Sequence, residues 1–527
     1  MGHRLGELLC GQGALTAQAL GRGLDEQRRR GGLLGEHLVA LSLVSRDALT
    51  AALTRQARQR RSELDASIPA LAADAAKGAS PAGATPSPVI RLVDALVTRG
   101  VTADASDLHL EPTAEACLVR YRIHGLLSTA FSLPRSLHPA LVSRLKILAS
   151  LDIAERRMPQ DGAVRSSHGG HAVDLRISSL PTQYGEKIVM RILDHSRPLL
   201  TVASLGLSSG DTAAVEGVLQ RRKGIVLVTG PTGCGKTTTL YAMVNALRDG
   251  STNIVTVEDP IEYSIPGVNQ VQVHPEIGLT FARALRAILR QDPNVVLIGE
   301  IRDGETAEIA FRAAMTGHLV LSTLHTNDAP ATIARLIDLG VPRYLVAAHT
   351  AAILAQRLVR ALCPACRAPR PPELAHALQL GLPATVCDDP DWWAAGGCEV
   401  CHGTGYHGRV LLFESLLPSR GLREQIAAGA TEDALRLTAL RGGMVSLLSD
   451  GLAKARAGAT SLEELGRVLE SDDLIPALCG ACGGIKPPGF PYCPFCGARA
   501  EGRCACGQAL LPAWSHCPAC GAGRTQS

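Results

Sequence analysis

Four things are missing from this sequence. It has no apolar run long enough to cross a bilayer as a helix, and its first residues carry no secretory signal pattern. Both absences point to a soluble, cytoplasmic chain. It has no excess of one charge: 53 basic residues face 49 acidic ones, so a net +4 gives no global case for nucleic acid or an anionic membrane as partner. It also does not use cysteine as a disulfide framework would. Of 16 cysteines, 12 sit in C-x-x-C or C-x-C pairs, which in a reducing compartment means zinc. A chain of 527 residues is too long for one core, so three or more domains are expected.

What the sequence does have is Gly230-Pro-Thr-Gly-Cys-Gly-Lys-Thr237, the pattern G-x-x-x-x-G-K-T. The β-branched run Ile225 to Thr229 predicts a buried strand before it, and Thr237 to Leu247 has apolar residues at helical spacing. A glycine-rich loop between strand and helix lets backbone N–H groups close around phosphate oxygens, with the positive end of the helix behind them. The pattern assigns Gly230, Pro231, Thr232, Gly233, Cys234, Gly235, Lys236, Thr237 and Thr238 to ATP. Lys236 is expected to reach the β- and γ-phosphates, and Thr237 to bind Mg²⁺.

Residues 201–360 alternate strands with helices, which predicts a parallel sheet with its site at the C-terminal ends of the strands. Glu258 closes Ile254-Val-Thr-Val-Glu258, and Glu300 follows Val295-Val-Leu-Ile-Gly. His318 and His325 flank Leu319 to Leu324, and all four residues are expected at that edge. Hydrolysis of a γ-phosphate needs a metal, a positioned water and positive charge. The second acidic motif has one acid, Glu300, rather than an Asp-Glu pair, so Glu258 is expected to supply the other carboxylate. The arrangement favoured puts Glu300 near Mg²⁺ and Glu258 on the water, with the base left open between them.

Residues 89–200 read as an α+β domain: a helix over Ile90 to Val97, then alternating strands at Val119 to Ile123, Val173 to Ser178 and Glu186 to Leu193. Asp104-Ala-Ser-Asp-Leu-His-Leu-Glu-Pro112, Arg157-Met-Pro-Gln-Asp-Gly162 and Arg176 to Glu186 resemble the regulatory half of the type II secretion and type IV pilus assembly ATPases. The nucleotide motifs from Gly230 to Asn327 resemble the same family in the same order. The resemblance implies an α/β fold: a RecA-like P-loop ATPase domain with an α+β N-terminal regulatory domain, a helical N-terminal domain and zinc-binding C-terminal elements. It implies a Mg²⁺-dependent ATP hydrolase working as a homo-hexamer on an inner-membrane platform protein, peripheral to that membrane, with no nucleic acid. It gives Arg176, Arg191, Arg286 and Arg290 the role of reaching phosphates, and makes His318 and His325 sensors of the γ-phosphate. The alternatives are a retraction or DNA-uptake motor of the same superfamily, or a nucleotide-binding scaffold. Cys234 stands where the family usually has Ser; a redox-sensitive loop would need a lowered thiol pKa.

Cys363, Cys366, Cys398 and Cys401 form two C-x-x-C pairs able to share one tetrahedral Zn²⁺. Retraction ATPases of the superfamily lack this element. A tandem zinc ribbon is expected over 477–527, using Cys479, Cys482, Cys493, Cys496, Cys504, Cys506, Cys517 and Cys520. Residues 1–60 carry a 24-residue repeat starting at Arg4 and Leu33. The bland reading is helix packing and docking. The family resemblance offers cyclic di-GMP as a ligand of Arg4, Gly6 and Gly13, although the second unit has Leu33 and Ser42 instead. Expected boundaries are a flexible linker at 61–88, the regulatory domain at 89–200, the ATPase core at 201–360, the four-cysteine element at 361–415 and a helical subdomain at 416–475.

Overall fold

The computed structural model describes residues 5–77, 86–194, 199–382 and 384–469. The chain divides into two units, Met1–Pro198 and Leu199–Ser527.

The first unit begins with helices Leu5–Gly11, Ala17–Arg30 and Leu34–Ala40, which bury Leu9, Leu15 and Leu38 with Val44 and Ala52. Gly6 and Gly35, at equivalent places in the two repeats, are packing positions. A Cβ on Gly6 would meet Leu20 at 2.5 Å, and one on Gly35 would meet Leu49 at 2.9 Å. The next helix runs Arg46–Ala76, without a break at 60. The linker expected from 61 is therefore helical as far as 76. The alanine-rich composition that reads as a tether is also the best helix former. Ile68 and Ala72 are buried in the core of the following sheet, and Asp65 pairs with the buried Arg99 at 2.5 Å.

That sheet is antiparallel. Its strands are β1 Ala105–Pro112, β2 Ala116–Ile123, β3 Leu126–Pro134, β4 Gln160–His168, β5 His171–Thr182 and β6 Gly185–Asp194, in the order β3-β2-β1-β6-β5-β4. Alternation in β5 and β6 turns Val173, Leu175, Ile177, Ile188 and Met190 into the core. Helices Pro88–Thr102 and His138–Leu148 share that core.

The second unit is built on a seven-stranded sheet of β7 Gly224–Thr229, β8 Ile254–Glu258, β9 Asn269–Gln272, β10 Val295–Ile298, β11 Leu319–Leu324, β12 Thr350–Leu362 and, beyond the two-residue pair β13 Ala368–Pro369 and β14 Trp393–Ala394, β15 Tyr406–Leu416. The order is β15-β12-β7-β11-β10-β8-β9, parallel except where β15 meets β12. β7, β8, β10 and β11 are buried along their whole length, as continuous apolar runs in a doubly covered parallel sheet should be. The boundary expected at 360/361 falls inside β12, and β15 returns to the same sheet. The four-cysteine element is thus an excursion between two adjacent core strands. Helices Arg420–Ala428, Glu432–Arg441, Leu447–Arg456 and Leu462–Val468 follow, and Leu422, Leu435, Leu447 and Leu465 join the core that holds Val320 and Ile353. Among the described residues no helix is long and apolar enough to cross a membrane.

Candidate functional site

β7 sits centrally and delivers the chain into the loop Gly230–Gly235, after which the helix Lys236–Leu247 begins. The loop can pass here only because of its glycines: φ is +81° at Gly233 and +90° at Gly235, and a Cβ on Gly230 would lie 2.5 Å from the Gln356 carbonyl. Helices Gly304–Met315 and Ala329–Asp338 are capped by Asp303 and Asp328. The Lys236 helix has no side-chain cap, so its first N–H groups face the loop. Pro231, Thr232, Gly233 and Thr238 are exposed, and Thr237 is half-buried. Lys236 Nζ donates to the carbonyls of Gly230 (2.7 Å) and Pro231 (3.0 Å) and lies 3.5 Å from His325 Nδ1. Burial lowers its pKa. These groups fit the phosphates of a nucleotide: an ammonium, uncapped amides and a hydroxyl on a loop whose glycines leave room.

Three other strand ends reach the same edge. Two residues beyond β10, the Glu300 carboxylate is 2.5 Å from Arg302 Nη2 and 3.6 Å from His325 Nε2. His325 follows β11 directly and therefore faces both Lys236 and Glu300. Burial, then the Lys236 charge, lowers its pKa from the ordinary 6.5. Glu258 closes β8, and its surroundings differ. It is 3% exposed and accepts bonds from Tyr241 Oη, Thr256 Oγ1 (2.6 Å) and Gln270 Nε2 (3.1 Å). A carboxylate held by three donors is anchored, which does not suit the water-activating role favoured for it above.

His318 requires a correction. It precedes β11, so it lies at the N-terminal end of that strand, about 23 Å of extended chain from His325. In a parallel sheet that is the opposite edge from the phosphate loop. There Nδ1 lies 2.9 Å from Ala313 O and 3.1 Å from Thr316 Oγ1, closing the end of helix Gly304–Met315. Arg286 and Arg290 are exposed on and just beyond helix Phe281–Ile288. Arg286 pairs with Glu305 at 2.5 Å, and Arg290 donates to the Arg286 carbonyl. Arg176 and Arg191 are cross-strand partners on β5 and β6 in the first unit, with Arg191 held by Asp107 at 3.2 Å. The Cys234 thiol is buried and its pKa is raised, which keeps it protonated and unlike a redox-sensitive thiolate. Gly13 has φ +70°. Arg4 and the cysteines from Cys479 to Cys520 lie outside the described residues.

The four sulfurs of Cys363, Cys366, Cys398 and Cys401 lie within 4.8 Å of one another, with Sγ–Sγ separations of 3.9, 3.7 and 3.8 Å for the 363–398, 366–401 and 398–401 pairs. A tetrahedron of about 2.3 Å zinc–sulfur bonds has edges of about 3.8 Å. The amides of Gly397, Cys398 and Gly405 donate to sulfurs at 3.1–3.2 Å, as they would to thiolates. The set fits zinc.

Sequence reasoning missed Thr326 and Tyr241. Thr326 Oγ1 meets Thr229 Oγ1 at 2.6 Å and ties the end of β11 to the end of β7. Tyr241 pins Glu258. Neither residue type at its position carries a motif; only strand adjacency reveals them.

A family model described as "Type II/IV secretion system protein" matches residues 83–467. The chain is similar to "Type II secretion system protein HxcR" of Pseudomonas aeruginosa, 46% identical over 382 residues, covering 72% of this chain and 77% of that one. It is also similar to "Type IV pilus assembly ATPase PilB" of Myxococcus xanthus, 48% identical over 381 residues, 72% of this chain and 67% of that one. Among solved structures, the Legionella pneumophila ATPase DotB shares the fold, with a TM-score of 0.53 at 20% identity over 73% of this chain and 96% of that one.

Proposed function

This chain belongs to the type II/IV secretion system protein family, an ATP-hydrolysing P-loop family, and from that membership we propose that it is the ATPase motor of a pilus-assembly or protein-secretion machine. In this reading it works as a homo-hexamer in the cytoplasm, docked on an inner-membrane platform protein, and converts ATP binding and hydrolysis into mechanical work. The observation that carries the reading is the meeting of Lys236, Glu300 and His325 at one edge of the parallel sheet.

Lys236 and the amides after Gly235 would hold the phosphates, and Thr237 with Glu300 would hold Mg²⁺. The ion held there would supply positive charge against the negative charge that spreads over the transferring phosphoryl group. Glu300, beside His325, orients the attacking water. His325 enters neutral at pH 7, because its pKa is lowered, and reads whether a γ-phosphate lies against Lys236. Arg286, Arg290, Arg176 and Arg191 supply positive charge from elements outside this edge, the first two to a neighbouring copy in a head-to-tail ring. Cys363, Cys366, Cys398 and Cys401 would hold one zinc ion, which would cross-link the excursion between β12 and β15. The tail cysteines would hold two further zinc ions. Residues 1–60 serve docking, with cyclic di-GMP at Arg4, Gly6 and Gly13 a weak modulator.

The test is ATP hydrolysis by the purified full chain with and without Mg²⁺, alongside its mass in solution. Mg²⁺-dependent turnover by a six-membered assembly is expected. A stable monomer without turnover at saturating ATP contradicts it.

A further inference from the structure

Two neighbouring residues of β12, Gln356 and Arg357, are buried although both are polar. Burying an amide beside a guanidinium is costly unless both are well bonded, so their partners carry information. Gln356 Nε2 donates to Cys234 O at 2.7 Å, and Thr239 Oγ1 donates to Gln356 Oε1 at 2.9 Å. Cys234 lies in the phosphate loop and Thr239 in the first turn of the helix after it. One side chain therefore ties down both flanks of Lys236. Arg357 Nη2 donates to Asn327 O at 2.9 Å, and Nη1 to Gln356 O at 3.2 Å. Asn327 is two residues beyond His325, in the segment that leaves β11.

Successive strand residues point to opposite faces. β12 pairs with β7, with Ala355 opposite Thr229, so the pair begins where the phosphate loop begins. Gln356 faces the loop and its helix, and Arg357 reaches the segment carrying His325. Gly230 fits between them: its missing Cβ would sit 2.5 Å from Gln356 O and 3.4 Å from Arg357 Nη1.

We propose that Gln356 and Arg357 are positioning residues for ATP hydrolysis, Gln356 by fixing the phosphate loop and Arg357 by fixing the His325 segment against it. The proposal rests on the ATPase reading above and divides the labour within it. Gln356 governs how tightly phosphates are held, and Arg357 governs how well His325 is presented once they are held.

The experiment measures the MgADP dissociation constant and the turnover number per titrated site on full-length variants. Gln356→Leu should weaken MgADP about tenfold while turnover at saturating ATP changes by less than about threefold. Arg357→Met should lower turnover about tenfold with MgADP affinity within about twofold of wild type, and Arg357→Lys should recover part of that turnover. A purely structural role would lower only the fraction of folded, titratable sites. Unchanged constants per site in both variants overturn the proposal, as does the opposite division of effects. Should Gln356→Leu not fold, Thr239→Val removes one bond of the same pair. It should weaken MgADP about threefold, and unchanged affinity there overturns the Gln356 half. Wild-type protein that neither binds nor hydrolyses ATP sinks the ATPase reading itself, a result distinguishable from a failure of the variants alone.

Discussion

β11 carries a histidine just outside each end, and the two do different things. His325, beyond the C-terminal end, stands between Lys236 and Glu300. His318, before the N-terminal end, bonds the last turn of a neighbouring helix. Identical side chains six residues of strand apart thus divide between chemistry and architecture, because a parallel sheet gathers its reactive groups at one edge. The two carboxylates at that edge divide again. Glu258 is buried under three donors, whereas the partly buried Glu300 lies beside a histidine and an arginine. Position in the sheet selects the edge; hydrogen-bond saturation then separates the group that acts from the group that holds.

Substitutions can break this contrast. Glu300→Gln should cut turnover about 10²–10³-fold while MgATP still binds. Glu258→Gln should instead lower stability by about 1–3 kcal/mol and leave turnover within about fivefold per folded molecule. A larger loss of turnover at Glu258 than at Glu300 would reverse the assignment. His325→Asn should lower turnover about tenfold, and His318→Asn should leave it within about twofold while reducing the melting temperature. Chelation of zinc, or Cys401→Ser, should lower the melting temperature by about 5 °C or more, since zinc binding is folding energy there; an unchanged melting curve would show the cluster to be metal-free.

The smallest effect is a titration. His325 has a lowered folded-state pKa, so it binds fewer protons than the unfolded chain below pH 6.5. Its contribution to stability is present above 6.5 and is lost as the pH falls toward the folded value. An NMR titration should place its midpoint below 6.5, and Lys236→Met should move it upward. No movement would mean that Lys236 does not act on it.

Much of the site was legible because its determinants are local. The phosphate loop is eight consecutive residues, the cysteine pairs have fixed spacing, and the buried strands are unbroken apolar runs. Glu258 was legible as a strand-end acid, but its saturation was not, because Tyr241 and Gln270 come from other elements. Gln356 and Arg357 were invisible: they lie more than a hundred residues beyond the loop in sequence and become neighbours only when β12 pairs with β7. Alanine-rich composition up to Ala76 suits a linker and a helix alike, and it is Ile68 and Ala72 against the sheet that decide between them. His318 and His325 share one motif but not one edge, because a residue before a parallel strand cannot share an edge with one after it.

The most direct test of the central claim is ATP hydrolysis by Lys236→Ala, measured with its zinc content and melting temperature. The account predicts that turnover disappears while the fold and the zinc remain, because the hydrogen bonds of Lys236 among the described residues go to loop carbonyls and His325. Sustained Mg²⁺-dependent hydrolysis by that variant would contradict it.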